Sequence, residues 1–205
     1  MSGWTHHTGR AVALDLESVD TDQIIPARFM STPRSEGYGQ FLLHDLAINE
    51  DGNARPDFPL NAWPEASVLV TRRNFGSGSS REAAVYALVD FGIRAVIAPS
   101  FGDIFASNAV NNGLLPARVS SADADAMIAA LGAGDGAASV DLPAGTVSVD
   151  GREAVFDLDP VWRAKLVNGW DDIDLTRSET NKIQAFRSAH AERREWAFPV
   201  AEVTG

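Results

Sequence analysis

A loop rich in glycine and serine carries the residues of this chain that are best suited to chemistry. It reads Asn74-Phe75-Gly76-Ser77-Gly78-Ser79-Ser80-Arg81-Glu82 and joins a β-rich segment to an apolar helical segment. The glycines allow a sharp turn, and the first N–H groups of a following helix lack intrahelical partners and attract anions. Ser79 and Ser80 can cap that helix or face a substrate, while Arg81 can bind a carboxylate or phosphate bidentately. This segment, called the serine loop below, therefore favours a small acidic ligand.

Three common motifs with a loop before a helix fit the serine loop poorly. A P-loop ends in Gly-Lys-Ser/Thr, whereas this loop has Arg81 and no nearby lysine. The dinucleotide-binding fingerprint needs a third glycine or alanine where Arg81 stands. A nucleophile elbow reads Gly-x-Ser-x-Gly, but here the glycines flank Ser77 directly, so a serine hydrolase is only weakly supported. On the loop alone, a purely structural role with capping serines and a surface ion pair is an equal alternative.

Composition narrows the classes of function. The 205 residues predict one domain, and 45% hydrophobic residues suffice for a packed core. The net charge of -11 argues against a nucleic-acid surface, which needs clustered Lys and Arg. The polar N-terminus and the absence of a long apolar run predict a cytoplasmic protein.

The chain lacks cysteine, so it cannot by itself hold a disulfide, a thiolate metal site or a cysteine-ligated iron–sulfur cluster. The four histidines are too scattered in sequence to predict a metal site. No metal is therefore assigned to this chain.

The hydrophobic pattern predicts an α/β fold with a helical tail. Strands and helices alternate after the serine loop, which favours βαβ units and parallel pairing. The predicted strands are 10–16, 67–71, 94–98 and 114–119, and the predicted helices are 40–47, 82–91 ending at Gly92, 101–111, and 121–131 capped by Ser121. After a flexible break at 132–136, three segments predict antiparallel ribbons, namely 139–142, 146–149 and 153–158. The segment 160–196 predicts helices interrupted around 169–175.

Several motifs, in the right order along most of the chain, resemble those of the small subunits of 3-isopropylmalate dehydratase, which are similar to the swivel domain of aconitase. The motifs are Val19-Asp20-Thr21-Asp22-Gln23-Ile24-Ile25-Pro26-Ala27-Arg28-Phe29, the serine loop, Ser100-Phe101-Gly102-Asp103-Ile104-Phe105, Asn111-Asn112-Gly113-Leu114-Leu115-Pro116 and Asn168-Gly169-Trp170-Asp171-Asp172-Ile173-Asp174-Leu175-Thr176.

The resemblance implies a three-layer β/β/α swivel domain over residues 1–205, with a helical C-terminal extension from about residue 160. It also implies a heterodimer or larger complex with a separate large subunit, whose own cysteines carry a [4Fe-4S] cluster. The implied reaction is the isomerisation of 2-isopropylmalate to 3-isopropylmalate by dehydration and rehydration, in leucine biosynthesis.

The same resemblance implies roles for individual residues. Ser79 is the base that removes a proton from a carbon beside a carboxylate, while Ser80 and Arg81 bind a substrate carboxylate. Asp22 supports the serine loop or the proton relay, although a plain role in shaping its turn is equally expected. Arg34, on the glycine-flanked segment 30–39, matches a substrate-facing arginine.

Other positions leave the choice of substrate open. Relatives often carry cysteine at Ser77 and histidine at Ala83, and the second change allows a related hydroxy-diacid, such as methylmalate with citraconate or homoaconitate. Phe29, Met30 and Tyr38 can form an apolar wall for the isopropyl group, although ordinary packing is slightly favoured. The alternative from a different class of function is a module that binds carboxylates without catalysis.

Overall fold

The computed structural model describes residues 2–197 and divides into two compact units, Met1–Trp170 and Asp171–Gly205. One sheet with strand order β4-β3-β2-β1-β5-β6-β7 organises the first unit. The strands are β1 (His6–Leu14), β2 (Ala66–Thr71), β3 (Ala95–Ala98), β4 (Leu115–Arg118), β5 (Asp135–Asp141), β6 (Thr146–Val149) and β7 (Arg152–Val155).

Helices cover this sheet and form the described part of the second unit. Those of the first unit are α1 (Thr21–Ile24), α2 (His44–Ala47), α3 (Pro59–Ala62), α4 (Glu82–Phe91), α5 (Asp103–Asn111), α6 (Ser121–Leu131) and α7 (Pro160–Asn168). Short 3-10 turns occur at Ala27–Ser31, Arg34–Glu36 and Tyr38–Phe41. The second unit contains α8 (Asp172–Ser178), α9 (Thr180–Arg193) and a 3-10 turn at Glu195–Ala197.

Strands β1 to β4 are parallel and are mostly buried on both faces, in β1 from Ala11 onward. Alternate residues along β1 enter different cores, with Val12 and Leu14 on one side and Ala11 and Ala13 on the other. Such burial explains why these strands read as continuous apolar runs in the sequence. Among the described residues, no helix is long and apolar enough to cross a membrane.

The antiparallel strands β5 to β7 continue the sheet from β1 and curl it over the second core. Val140, Val147 and Val149 share that core with Val68 and Ile97 of the parallel strands. Helices α4 and α5 pack on the opposite face, where Ala84, Leu88 and Phe105 belong to the first core. One continuous sheet thus supplies both β layers, and the predicted three-layer β/β/α arrangement is confirmed.

Helix α7 belongs to the first unit, where Leu166 is fully buried in the second core. In the described part of the second unit, neither α8 nor α9 contains a buried residue. A single domain over residues 1–205, with an extension from about residue 160, stays a prediction. In the structure, the boundary between the two units follows Trp170.

Most predicted elements are present, and several boundaries differ. Strand β1 begins at His6 because the polar segment 6–9, which has no apolar pattern, pairs antiparallel with β5. Strand β5 begins at Asp135, inside the predicted break. The cap of α6 is Ser120 and not Ser121, because Ser120 Oγ accepts the backbone N–H of Asp123 at 3.1 Å. In the tail, helix α8 already begins at Asp172, so the interruption is shorter than predicted.

The loops that follow β1, β2 and β3 are joined by backbone hydrogen bonds. The N–H of Gly76 donates to Val19 O at 2.7 Å, which ties the second loop to the first. The N–H of Phe75 donates to Ser100 O at 3.1 Å, and that of Gly102 donates to Phe75 O at 2.9 Å. Because the carboxyl ends of parallel strands lie at one edge of the sheet, these bonds gather three distant motifs there.

Gly76 makes this junction possible. Its φ of +72° favours glycine, and a Cβ at this position would overlap the ring of Phe105 on α5. That ring also packs edge-on against Phe75, with centroids 5.4 Å apart. The serine loop therefore lies directly against the first turn of α5.

Gly76→Ala is expected to lower the free energy of unfolding by about 2–5 kcal/mol, since it combines a left-handed backbone with overpacking against Phe105. Gly151→Ala is the matched control, because Gly151 has a similar φ of +75° and no atom within 4 Å of the added Cβ. The control should cost only about 1–2 kcal/mol. Urea unfolding followed by tryptophan fluorescence measures both, and equal losses would contradict the packing argument.

Candidate active site

The serine loop presents two hydroxyl groups at the start of α4. Ser79 and Ser80 are exposed, and within residues 2–197 neither hydroxyl makes a hydrogen bond. The N-cap of α4 is Arg81, and no side chain caps the helix. The two serines therefore do not cap α4, and the first N–H groups of the helix have no side-chain cap.

Asp22 lies against Arg81. The Nη1 group of Arg81 donates a hydrogen bond to Asp22 Oδ1, and the two side chains are 23% and 51% exposed, respectively. Asp22 has no capping role, because Asp20 accepts the N–H of Gln23 at 2.7 Å and forms the capping box of α1 with it. Of the two aspartates in this turn, one thus shapes the chain and the other orients Arg81.

Thr21 fastens the serine loop from the other side. Its backbone N–H donates to Ser77 O at 2.9 Å, and its hydroxyl donates to Ser79 O at 3.1 Å. Thr21 is only 2% exposed, so the donor side of both bonds is buried. The backbone of Ser79 is therefore held in place while its side chain remains exposed.

Arg34 does not contact Ser79, Ser80 or Arg81 among the described interactions. Its Nη2 group donates to Asp90 Oδ1 at 3.2 Å, and its guanidinium carbon lies 3.6 Å from the centroid of the Tyr86 ring. Both partners lie on α4, the helix that begins next to the serine loop. The helix thus links Arg34 to the site.

The residues considered for an apolar wall have different environments. Tyr38 is 7% exposed in the first core and donates its hydroxyl to Thr32 O at 2.9 Å. Phe29 stacks on Phe41 with centroids 4.3 Å apart, whereas Met30 is 41% exposed. Packing explains Tyr38 and Phe29, and a contact of any of the three with substrate stays a prediction.

The two positions that differ from the family pattern, Ser77 and Ala83, carry small side chains. Ala83 is 7% exposed and belongs to the first core, so its methyl group packs inside the protein. Ser77 pairs through its backbone with Asp20, which any small residue can do. The hydrogen bond between Arg81 and Asp22 involves neither of these side chains.

Within residues 2–197, no group of three or more His, Cys, Asp or Glu side chains is placed to hold a metal ion. The chain also has no cysteine. Its residues therefore do not fit an iron–sulfur cluster, and the chemistry available here is that of hydroxyls, a guanidinium, a carboxylate and helix N–H groups.

This group of residues is suited to a carboxylate ligand with a nearby acidic C–H bond. Arg81 and the start of α4 supply positive charge, and two free hydroxyls lie beside them. Positive charge close to a hydroxyl stabilises its alkoxide, so a larger fraction of the hydroxyl is deprotonated and able to accept a proton. The site thus places two hydroxyl groups beside an anion-binding group.

The sequence did not single out Thr21, Tyr86 or Asp90. Thr21 lies between the two aspartates of the Asp-Thr-Asp motif. Its small β-branched side chain with a hydroxyl group was the sequence feature that could have indicated its role. Tyr86 and Asp90 follow Glu82 at intervals of four, which places the three on one face of α4. That spacing indicates one face of a helix, but it does not show which residue packs against that face.

Comparisons with known proteins show the family of the chain. The family model described as the aconitase C-terminal domain matches residues 1–122, which is more than half of the chain. The 3-isopropylmalate dehydratase small subunit of Rhodospirillum centenum is 42% identical over 202 residues, covering 97% of this chain and 100% of that protein. The small subunit of Caulobacter vibrioides is 44% identical over 199 residues, covering 96% of this chain and 98% of that protein.

A solved structure is also similar. The crystal structure of 3-isopropylmalate dehydratase from Methanocaldococcus jannaschii matches with a TM-score of 0.64 and 26% sequence identity. The match covers 88% of this chain and 99% of that chain. The chain therefore belongs to the aconitase C-terminal domain family and, within it, to the small subunits of 3-isopropylmalate dehydratase.

Proposed function

We propose that this chain supplies the base and the carboxylate-binding groups of a 3-isopropylmalate dehydratase whose other half is a large subunit. The observation that carries the proposal is the Arg81–Asp22 pair beside the free hydroxyls of Ser79 and Ser80. The reaction is loss of water from 2-isopropylmalate and its return at the neighbouring carbon, which gives 3-isopropylmalate. This hydro-lyase reaction is part of leucine biosynthesis. The proposed location of the protein is the cytoplasm.

Ser79 is the proposed base. Its Oγ removes the proton from the carbon next to the one that carries the hydroxyl, and the same group returns a proton when water is added in the other orientation. A free serine hydroxyl is too weak a base, so its alkoxide needs stabilisation by the start of α4 and by the guanidinium of Arg81. The hydrogen bond from Thr21 to Ser79 O supports this role because it fixes the backbone that carries the base.

Ser80 and Arg81 are the proposed ligands of one substrate carboxylate. Arg81 is partly buried and already oriented by Asp22, so little side-chain freedom is lost when a carboxylate binds. Asp22 takes one amino group of the guanidinium and leaves further N–H donors for the ligand. Arg34 is the proposed ligand of the second carboxylate of the diacid.

The [4Fe-4S] cluster is assigned to the large subunit, because this chain has no cysteine to ligate it. The cluster would supply the Lewis acid that binds the departing hydroxyl. Exposure of Ser79 and Ser80 supports a site that a partner completes. This chain, as the small subunit, and the large subunit together then form a heterodimer or a larger complex.

Ser79→Ala is expected to lower kcat by about 10²–10⁴-fold, the usual contribution of a positioned base, in a complex that still assembles. The assay mixes the purified chain with an anaerobically reconstituted large subunit and follows the absorbance of isopropylmaleate. Ser77→Ala is the matched control in the same loop and should retain activity. If Ser79→Ala remains active, Ser79 is not the base.

The same assay separates the two classes of function. Turnover of 2-isopropylmalate by the complex supports the dehydratase. Turnover only of methylmalate, citraconate or homoaconitate identifies a related hydro-lyase, and binding of these diacids without any turnover identifies a carboxylate-binding module.

Arg81→Lys is expected to raise KM by about tenfold or more, because lysine keeps the charge but loses the planar pair of donors that matches a carboxylate. Arg73→Lys is the control, since Arg73 forms a single exposed ion pair with Glu17 close to the serine loop. Steady-state kinetics with 2-isopropylmalate measures both variants. An unchanged KM for Arg81→Lys would show that the guanidinium does not bind the substrate.

A further inference from the structure

Arg34 is held by two side chains of α4. Its guanidinium carbon lies 3.6 Å from the centroid of the Tyr86 ring, and its Nη2 donates to Asp90 Oδ1 at 3.2 Å. We infer that Tyr86 and Asp90 are positioning residues, which hold the Arg34 guanidinium as the binding group for the second carboxylate of the substrate. The inference rests on the proposed function.

The two contacts leave part of the guanidinium free for a ligand. The ring of Tyr86 covers the flat face of the cation, and Asp90 takes one nitrogen atom. Arginine has five N–H donors in the plane of the group, so stacking on the face leaves the edge accessible. The side chain of Arg34 is 43% exposed, whereas that of Asp90 is 21% exposed. The cation is thus supported from the helix and open on its other side.

Asp90 also fixes the segment that carries Arg34. Its second oxygen, Oδ2, accepts the backbone N–H of Tyr38 at 3.1 Å. The backbone of Gly39 approaches the same end of α4 so closely that a Cβ there would lie 2.6 Å from the nitrogen of Phe91. The position of Arg34 is therefore set by its backbone as well as by its side chain.

Tyr86 is itself connected to the start of α4. Burial, together with the nearby Glu82 carboxylate, raises the pKa of the Tyr86 hydroxyl. Glu82 follows Arg81 directly and accepts a hydrogen bond from Asn112 Nδ2 at 2.9 Å. Glu82, Tyr86 and Asp90 thus form one row along the helix that leads from the serine loop to Arg34.

This row has a consequence for the substrate. Tyr86 lies five residues after Arg81, which is about 7.5 Å along the axis of a helix. A single helix therefore supports both cations. A hydroxy-diacid has two carboxylates, so this pair of cations is suited to binding both of its ends.

The test uses the complex with the large subunit and three variants of α4. Tyr86→Leu removes the ring and is expected to raise KM about three- to tenfold, while kcat changes less than about twofold. Tyr86→Phe keeps the ring face and is expected to restore a KM close to that of the unmodified complex. Asp90→Asn loses the charge but keeps an oxygen for the Tyr38 N–H, and it should raise KM by a similar factor.

A matched control lies elsewhere in the same unit. Arg28 stacks over Phe29 at 4.6 Å and pairs with Asp45, so it forms the same kind of cluster away from α4. Asp45→Asn should leave KM unchanged. Thermal unfolding of each variant shows whether the fold is retained, and calorimetric titration with malate, a simple hydroxy-diacid, measures binding independently of turnover.

The outcomes separate this inference from the proposed function. If Arg34→Gln raises KM but Tyr86→Leu and Asp90→Asn do not, the positioning role is wrong and the dehydratase stands. If Arg34→Gln leaves both KM and malate affinity unchanged, Arg34 is not a ligand and the inference is overturned. If the unmodified complex does not convert 2-isopropylmalate, the proposed function fails, and weaker malate binding by Tyr86→Leu than by Tyr86→Phe still supports the positioning role.

Discussion

The backbone junction at the carboxyl edge of the parallel strands is the constraint on which the rest of the site depends. Hydrogen bonds from Gly76 to Val19 and between Phe75 and residues 100–102 join three loops that are far apart in sequence. The close approach of Gly76 to the ring of Phe105 leaves no room for a side chain. Because this junction is hydrogen-bonded and closely packed, it positions the backbone of Ser79 and the Arg81–Asp22 pair beside each other.

Helix α4 carries the second half of the arrangement. It begins at the serine loop and, through Tyr86 and Asp90, ends at the segment that contains Arg34. A buried apolar face anchors the helix to the first core through residues such as Ala84, Val85 and Leu88. The packing that stabilises the fold therefore also sets the spacing of the charged groups, and a loss of core packing would be felt in the affinity for substrate.

The sequence predicted the features that depend on local pattern. The helix at 82–91 with its glycine end follows from apolar spacing, and Gly92 adopts the expected left-handed conformation with φ of +114°. The sequence could not show which of Asp20 and Asp22 caps α1, because an aspartate at either position is compatible with such a turn. It also missed Asp90 as the partner of Arg34, because 56 residues separate them and only the folded chain joins them. The curl of β5 to β7 over the second core likewise depends on packing between distant strands.

The most direct test is the crystal structure of the complete complex with 2-isopropylmalate bound. The proposed roles require Ser79 Oγ to lie about 3–3.5 Å from the carbon that loses its proton, the distance typical of a reactive arrangement. Arg81 should then bind one carboxylate through two hydrogen bonds. A substrate bound with Ser79 Oγ directed away from that carbon, and another side chain in its place, would contradict the assignment of the base to this chain.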